Sequence, residues 1–207
     1  MNRRWQIFIV IALLVLGGAS LVVFLMLSKT RQENRYNGII RTAAGQHQLP
    51  PSLVKAVVWR ESRFNARARG RAGEIGLMQL TEAAAQEWAD ARRYRTFAHE
   101  QVLDPAMNIQ AGCYYLSKLV KRYPLADNPY VFALADFNAG RANVLRWMKE
   151  TEGTNSAAFF ARMDFPGTRE YIAAILQREP RYRREFSPGY FPDAPAAQST
   201  PRQSKSR

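Results

Sequence analysis

The sequence E-S-R-F-N-A-R-A-R-G-R-A-G-E-I-G-L-M-Q-L, residues 61–80, is the most informative segment of this chain. It begins at the end of a predicted helix over residues 51–62, which starts at Pro51, because proline is tolerated in the first turn of a helix. Residues 63–76 contain three glycines and four arginines, which makes them too polar and too flexible for a core element. We therefore predict a loop or small hairpin directly after a helix end.

In the rest of the folded region the apolar residues recur with the period of an α-helix, and proline and glycine mark the breaks. An apolar stripe in residues 39–44 predicts a helix before Pro50. Further helices are predicted over residues 81–90 with Thr81 as N-cap, 106–122, 129–138, 141–150 and 168–184. The sequence therefore predicts a mainly α domain over residues 36–185, without internal repeats.

The composition excludes several classes of function. Cys113 is the one cysteine of the chain, so an intramolecular disulfide and a cysteine-based zinc site are excluded, and His47 and His99 offer little to any other metal. The glycine motifs that bind nucleotide phosphates do not occur. We therefore expect neither a metal nor a cofactor.

The chain is strongly basic, with 30 Lys and Arg against 17 Asp and Glu. A solvated basic face is the simplest interpretation, and attraction to anionic lipid or to an anionic cell-wall polymer is the functional alternative. Helix-turn-helix, RNA-binding aromatic and zinc-knuckle signatures do not accompany the charge, so we do not expect nucleic acid as a partner.

Residues 7–27 carry no charge and are long enough, at 1.5 Å per residue, to cross a bilayer core of about 30 Å. We predict a transmembrane anchor there, after a short segment of residues 1–6 and before a linker of residues 28–35. A cleaved signal peptide is the alternative, since two arginines precede the apolar run and Gly17-Gly18-Ala19 provides small residues. Basic residues flank both ends, so charge counting does not determine the orientation.

The C-terminal residues 186–207 are rich in proline and serine and have no periodic apolar pattern. This composition predicts a disordered basic tail.

Glu61 is the strongest candidate for chemistry within the folded domain. It lies on the face of its helix that carries the apolar residues Leu53, Val54, Val57 and Val58. Partial burial would raise the pKa of the carboxyl, as a general acid requires, and Arg60 and Arg63 would lower it if they pointed at the carboxyl. From spacing alone, a solvated glutamate or a salt-bridge partner remains the alternative.

Five segments together resemble one family of enzymes. They are E-S-R-F-N at residues 61–65, G-L-M-Q-L at 76–80, D-P-x-x-N-I with the following G and Y-L at 104–116, F-N-A-G at 137–140, and T-R-E-Y-I at 168–172. Their order and intervals closely resemble the soluble-lytic-transglycosylase family, which includes membrane-bound lytic murein transglycosylases. The resemblance implies a goose-lysozyme-like, mainly helical fold and peptidoglycan glycan strands as the substrate.

The resemblance also implies a mechanism that uses one glutamate, which matches Glu61. The glutamate protonates the glycosidic oxygen between N-acetylmuramic acid and N-acetylglucosamine and then acts as base while the muramic acid C6 hydroxyl attacks C1. The product is a 1,6-anhydro end, and water is not consumed. Ordinary glycosidases need two carboxyl groups, whereas an intramolecular nucleophile makes the second unnecessary. If a second carboxylate took part, the candidates would be Glu74, Asp104, Asp136 and Glu170, for each of which capping or ion pairing is the alternative.

The motifs also predict a set of substrate-binding residues: Ser62, Met78, Gln79, Phe137, Asn138 and Tyr171. The amides of Gln79 and Asn138 suit an acetamido group. A helix-end hydrogen bond is the alternative for Gln79, and bracing the loop before Gly140 is the alternative for Asn138. Ser62 either caps its own helix or holds Glu61, and core packing is the alternative for Met78. Tyr171 would close the cleft, and a purely structural role is the alternative.

Four positions depart from the family pattern. Phe137 stands where tyrosine is usual, Gly70 where serine is common, Thr81 where methionine is common, and Gly167 where glutamate often precedes the T-R-x-Y run. The missing hydroxyl at Phe137 predicts a Glu61 that is less strongly held. A catalytically weakened glycan-binding or assembly protein and a hydrolytic muramidase therefore stay open as alternatives.

The resemblance supplies the orientation that charge counting does not. Because the substrate lies outside the cytoplasmic membrane, we expect a single-pass inner-membrane protein with its domain on the periplasmic side. The sequence identifies no protein partner.

Overall fold

The computed structural model describes residues 3–149 and 153–187. Nine α-helices lie in these ranges: α1 Arg3–Asn34, α2 Asn37–Gln46, α3 Pro51–Ser62, α4 Glu82–Ala91, α5 Pro105–Val120, α6 Pro129–Ala139, α7 Arg141–Met148, α8 Ser156–Arg162 and α9 Pro166–Glu185. A 3₁₀ helix, His99–Leu103, precedes α5. The described residues contain no named strand, which agrees with the predicted mainly α fold. Most of the predicted tail, residues 188–207, lies outside the described residues.

Local capping chemistry explains why the predicted helices begin where they do. The Thr81 hydroxyl accepts the Ala84 N–H at 3.2 Å, as the sequence predicts for this N-cap. Asp104 caps α5 through the Met107 N–H at 2.9 Å, and Pro105 occupies the first turn. The short α8 and the 3₁₀ helix are not predicted, because each is too brief to show helical periodicity.

The core surrounds α3, which is buried along most of its length and packs against both α2 and α9. Even polar residues of α3 are enclosed: Ser52 donates to the Glu179 carboxylate at 2.5 Å. Helices α5 and α6 pack against each other, and α6 also contacts α9. The last turn of α3 is thereby held from several directions.

Residues 68–80 form a small hairpin with isolated bridges, as predicted for this segment. The Ile75 and Leu80 backbones exchange hydrogen bonds of 3.1 and 3.0 Å, and the Gly76 N–H donates to the Ala68 carbonyl at 2.9 Å. Gly76 adopts a φ of +81°, and a Cβ there would collide with the Asn108 amide. The hairpin therefore requires glycine at this position.

The buried side chain of Asn108 attaches the hairpin to α5. Its Oδ1 accepts the Met78 N–H at 2.7 Å, and its Nδ2 donates to the carbonyls of Ile75 at 3.0 Å and Val102 at 2.8 Å. One amide thus pairs the Met78 N–H and the Val102 carbonyl in the interior, and it adds a second hydrogen bond to the Ile75 carbonyl, which also accepts the Leu80 N–H.

Helix α1 is long and apolar enough, by length and composition, to cross a membrane, a test that a signal sequence also passes. Its large apolar residues from Leu13 to Leu27 that the structure describes are exposed. Most of residues 28–35, predicted as a linker, instead continue α1 to Asn34.

The last turn of α1 contacts the domain directly. Glu33 is only 5% exposed and forms ion pairs with Arg178 at 3.0 Å and Arg181 at 3.3 Å. The fully buried Lys55 donates to Asn34 at 2.8 Å and pairs with Glu185. Helix α1 is thus joined to the domain by buried ionic contacts.

Candidate active site

Glu61 lies in the last turn of α3 and lines a cavity of about 450 Å³. The hairpin, α4, α5 and α6 supply the other walls. The lining residues are Arg60, Glu61, Glu74, Gln79, Leu80, Thr81, Ala84, Tyr115, Asp136, Phe137, Asn138 and Gly140. The structure therefore brings residues of four of the five motifs, at positions 61, 79, 115 and 137–140, to one cavity.

Burial raises the pKa of Glu61 to about 7, as its place on the apolar face predicts. A hydrogen bond from Tyr171 and the charge of Arg60 lower this pKa, and the charge of Glu74 raises it. Arg63 does not take part, because its guanidinium lies over the Trp59 ring, 3.7 Å from the centroid. A carboxyl with this pKa carries a proton in a large fraction of molecules at neutral pH, as a general acid requires.

Tyr171 holds the carboxyl in place. Its phenol, on α9, is buried and donates to Glu61 Oε1 at 2.6 Å. Burial, followed by the charge of Glu61, raises the pKa of this phenol well above its usual value, so the phenol remains a donor. Glu61 therefore has a phenolic partner although Phe137 supplies none.

Phe137 and Asn138 form the α6 wall of the cavity. The Phe137 ring lies 5.9 Å from the Tyr115 ring, which makes this wall aromatic. The Asn138 Oδ1 accepts a hydrogen bond from the Thr168 hydroxyl at 2.9 Å and so ties α6 to the first turn of α9. Asn138 is exposed at the cavity edge, where its amide Nδ2 can reach a ligand.

Gln79 lines the cavity with the left-handed backbone φ of +47°. Its Nε2 donates to the carbonyls of Gly76 at 3.0 Å and Ala68 at 3.2 Å. The amide nitrogen thus stabilises the hairpin, and the amide oxygen is the atom suited to accept from a substrate N–H.

Ser62 and Met78, although predicted as substrate-binding residues, do not line the cavity. The buried Ser62 hydroxyl donates to the Val58 carbonyl of its own helix at 3.1 Å, a bond that neither caps a helix end nor holds Glu61. Met78 is fully buried, and its sulfur lies against Gly112, where a Cβ would collide with it. Both side chains support the core behind the site.

The alternative second carboxylates differ in their surroundings. Asp136 lines the cavity but accepts from the Tyr123 hydroxyl at 2.8 Å and pairs with Arg122 at 3.0 Å, so its charge is compensated. Asp104 is an N-cap, and Glu170 is exposed outside the cavity. Glu74 is half-buried in the cavity wall.

Sequence reasoning assigned no binding role to Arg60 or Tyr115, both of which line the cavity. Arg60 is next to Glu61 in the sequence, and Tyr115 is the tyrosine of the Y-L pair, so these two positions could have indicated that both residues lie at the site. Within the described ranges, no three or more His, Cys, Asp and Glu side chains come together as a metal site would require.

The family model for the transglycosylase SLT domain matches residues 38–160. The chain is 27% identical over 150 residues to the soluble lytic murein transglycosylase of Escherichia coli strain K12, a match that covers 72% of this chain and 23% of that protein. It is 34% identical over 113 residues to the membrane-bound lytic murein transglycosylase F of Desulfosudis oleivorans, covering 53% and 23% of the two chains.

Solved structures agree with these matches. An inactive Glu→Gln mutant of the lytic transglycosylase Slt from Pseudomonas aeruginosa superimposes with a TM-score of 0.66 at 26% identity, covering 73% of this chain and 24% of that one. The 70 kDa soluble lytic transglycosylase of E. coli gives a TM-score of 0.64 at 27% identity, covering 73% and 24%. The chain therefore spans about a quarter of the relatives it matches. Since the domain model matches more than half of the chain, this protein belongs to the transglycosylase SLT domain family.

Proposed function

We propose that this protein is a membrane-anchored lytic transglycosylase that cleaves the glycan strands of peptidoglycan between N-acetylmuramic acid and N-acetylglucosamine. The observation that carries the proposal is the Glu61 carboxyl, which has a pKa of about 7 and lines a cavity with amide and aromatic walls. The names of the relatives, which are murein transglycosylases, support the substrate class.

In the first step the protonated Glu61 gives its proton to the glycosidic oxygen, and the bond from that oxygen to C1 breaks. Tyr171 donates to Oε1, so Oε2 is the oxygen that carries the proton toward the substrate. The positive charge that develops at C1 is stabilised by the carboxylate that proton transfer leaves behind.

In the second step the C6 hydroxyl of the same muramic acid attacks C1 and gives its proton back to Glu61. The new bond between O6 and C1 produces the 1,6-anhydro end and regenerates the acid, so no water is consumed. One carboxyl suffices, because the intramolecular hydroxyl has a high effective concentration at C1. The inactivity of a Glu→Gln mutant of Slt supports the need for a glutamate in the reaction.

The same proposal assigns the amides at the cavity to the acetamido groups of the sugars. The Gln79 oxygen would accept an acetamido N–H, and the exposed Asn138 amide would donate to an acetamido carbonyl. The aromatic wall of Phe137 and Tyr115 offers an apolar surface to a sugar ring.

We assign α1 to the cytoplasmic membrane as a single span, with the domain on the periplasmic side where peptidoglycan lies. The names of membrane-bound relatives and the apolar length of α1 support this assignment. The mass of the mature chain tests it, because a signal peptide would be removed and an anchor retained.

The decisive experiment is a digest of purified peptidoglycan by the detergent-solubilised full chain, read by mass spectrometry beside Glu61→Gln and Glu170→Gln. Anhydro-muropeptides should form with the parent and with Glu170→Gln, since Glu170 lies outside the cavity. Glu61→Gln should lower the rate by about 10²–10⁴-fold, because an amide cannot supply the proton.

Two other results of this digest would each contradict the proposal and indicate a different function. Hydrated reducing ends would identify a muramidase, for which the half-buried Glu74 is the available second carboxylate. Retained binding to sacculi without any product would identify a glycan-binding protein.

A further inference from the structure

A second cavity, of about 580 Å³, lies on the domain where the last turns of α1 meet α3 and α9. We call it the Trp59 pocket, after the half-buried indole that lines it together with Lys29, Arg63 and Arg178. It shares no lining residue with the cavity that contains Glu61. The proposed glycan cleavage does not use it.

Two arginine guanidinium groups stack on the Trp59 indole in the Trp59 pocket. The indole of Trp59 has a guanidinium over its ring from Arg63, 3.7 Å from the centroid, and another from Arg178 at 4.1 Å. Stacking on an indole leaves the N–H edges of a guanidinium directed outward, where they can bind an oxyanion.

The positive charge of the pocket is only partly compensated. Arg178 pairs with Glu33 at 3.0 Å, and Arg181 shares the same carboxylate. Lys29 and Arg63 form no ion pair with any residue that the structure describes. Burial, followed by the charges of Arg178 and Arg60, lowers the pKa of Arg63, and the charge of Glu33 partly offsets this effect. An anion in the pocket would relieve this repulsion.

The depth of the pocket along α1 indicates which anion it would meet. The apolar run ends at Leu27, and the pocket residues of α1 follow at Lys29 and Glu33. Lys29 and Glu33 follow Leu27 by two and six residues, or about 3 and 9 Å of helix rise. This interval includes the headgroup layer, which is about 5–7 Å thick on each side of a bilayer. A tryptophan at this depth is also typical of the membrane interface.

We propose that the Trp59 pocket binds the phosphate-bearing headgroup of an anionic phospholipid in the leaflet next to the domain. The phosphate contacts Lys29 and the outward edge of Arg63, and the indole of Trp59 packs against the headgroup. This binding rests on the proposed membrane span of α1. It would hold the domain at a constant height and tilt over the membrane.

The test uses the full chain in nanodiscs of phosphatidylcholine mixed with phosphatidylglycerol, with lipid retained on the released protein counted by native mass spectrometry. The parent should retain phosphatidylglycerol in preference to phosphatidylcholine. The pocket variant Lys29→Gln/Arg63→Gln should lose about tenfold or more of that preference, since each basic residue near an anionic surface contributes about 1 kcal/mol.

The control variant Arg92→Gln/Arg95→Gln removes the same charge from exposed positions outside the pocket and should keep the preference. An equal loss in both variants would overturn the site, because it would show only a general charge effect. Displacement of the lipid by soluble poly(glycerol phosphate) at equal phosphate concentration would also overturn it and identify a wall polymer as the occupant.

The proposed function is tested separately by the release of muropeptides from each variant. Normal release together with an unchanged lipid preference in the pocket variant would overturn the lipid site alone. Failure of the chain to enter the nanodiscs would overturn the membrane span and the lipid site together, and leave the proposed glycan cleavage standing.

Discussion

At the scale of single residues, the absence of a side chain at Gly70 makes room for the Glu74 carboxylate. A Cβ at residue 70 would collide with the Glu74 carboxylate, which also accepts the Ala72 N–H at 3.1 Å. The absence of a side chain at Gly70, where the resembling family often has serine, therefore leaves room for an acidic group in the wall of the cavity. That group acts on Glu61 through its charge.

Replacing Glu74 by glutamine should move the basic limb of the pH–activity profile to lower pH. The charge of Glu74 raises the pKa of Glu61, so its removal lowers that pKa and the general acid loses its proton earlier as pH rises. The measurement is the rate of muropeptide release against pH. Gly70→Ala, which displaces the carboxylate without altering it, should shift the limb in the same direction. If the basic limb of the pH–activity profile stays at the same pH in both variants, the charge of Glu74 does not act on Glu61.

Replacing Tyr171 by phenylalanine should move the same limb to higher pH. The hydrogen bond from this phenol lowers the pKa of Glu61, and its loss leaves the carboxyl more protonated. The rate on the acidic plateau should fall about tenfold, because a hydrogen bond to a charged group is worth about 1.5–3 kcal/mol and Glu61 would no longer be held. Phe137→Tyr is the comparison, since it adds a hydroxyl on the same cavity and should not lower the rate. A shift of the basic limb of the pH–activity profile to lower pH in Tyr171→Phe would contradict the assigned hydrogen bond.

At the scale of elements, the hairpin is positioned by α5 rather than by strand pairing. Asn108 makes its three hydrogen bonds to backbone groups at Met78, Ile75 and Val102. The position of Gln79 in the cavity follows from these contacts, because Gln79 is the next residue after Met78.

The substitution Asn108→Ala should destabilise the protein by about 3 kcal/mol, since it leaves buried backbone groups without partners. Chemical denaturation of the detergent-solubilised chain measures this change. Gln86→Ala, which removes an exposed hydrogen bond to Asp90, should cost less than about 0.5 kcal/mol. Equal stability of the two variants would mean that water replaces the Asn108 amide in the interior.

At the scale of the whole molecule, α1 and the domain are one connected structure. Gln32 donates to the Arg63 carbonyl at 3.2 Å, and Glu33 binds Arg178 and Arg181. These contacts join the end of α1 to α3, which carries Glu61, and to α9, which carries Tyr171. The orientation of the cavity that contains Glu61 relative to α1 is therefore set by packing rather than by a flexible linker.

Loss of this connection is testable with Glu33→Ala. The two arginines and the Tyr182 hydroxyl lose their shared acceptor, so residues 28–36 should exchange amide hydrogens faster and be cut more readily by protease. Hydrogen exchange read by mass spectrometry is the measurement. Glu100→Ala, which removes an exposed pair with Arg69, should leave this segment unchanged. Unaltered exchange in Glu33→Ala would show that the remaining contacts are sufficient.

Much of the helical fold could be predicted, because helix starts are encoded locally. Thr81 and Asp104 cap the helices that follow them, and the predicted bounds of α6 and α9 agree with the structure to within two residues. The course of residues 28–35 is not evident from their polar composition, because α1 continues to Asn34 and Glu33 is buried by partners about 145 residues away.

The candidate site was predicted in part. Glu61, Gln79, Phe137 and Asn138 reach the cavity as their motifs predict, and Tyr171 reaches Glu61 from α9. The burial of Glu61 followed from the apolar spacing within one helix. Ser62 and Met78 belong to the same motifs but face the core, because neighbouring residues in a helix or turn point in different directions.

The helical architecture, the apolar α1 and the burial of Glu61 follow from the amino-acid sequence, since each depends on the order of residues within one segment. The groups that act on Glu61, Tyr171 from α9 and Glu74 from the hairpin, follow only from tertiary packing, as does the pairing of Asp136 with Arg122 in the cavity wall. Tertiary packing also determines the stacking of Arg63 and Arg178 on Trp59. These contacts join residues far apart in the chain, and electrostatic interactions depend on distance in space, which local periodicity does not encode.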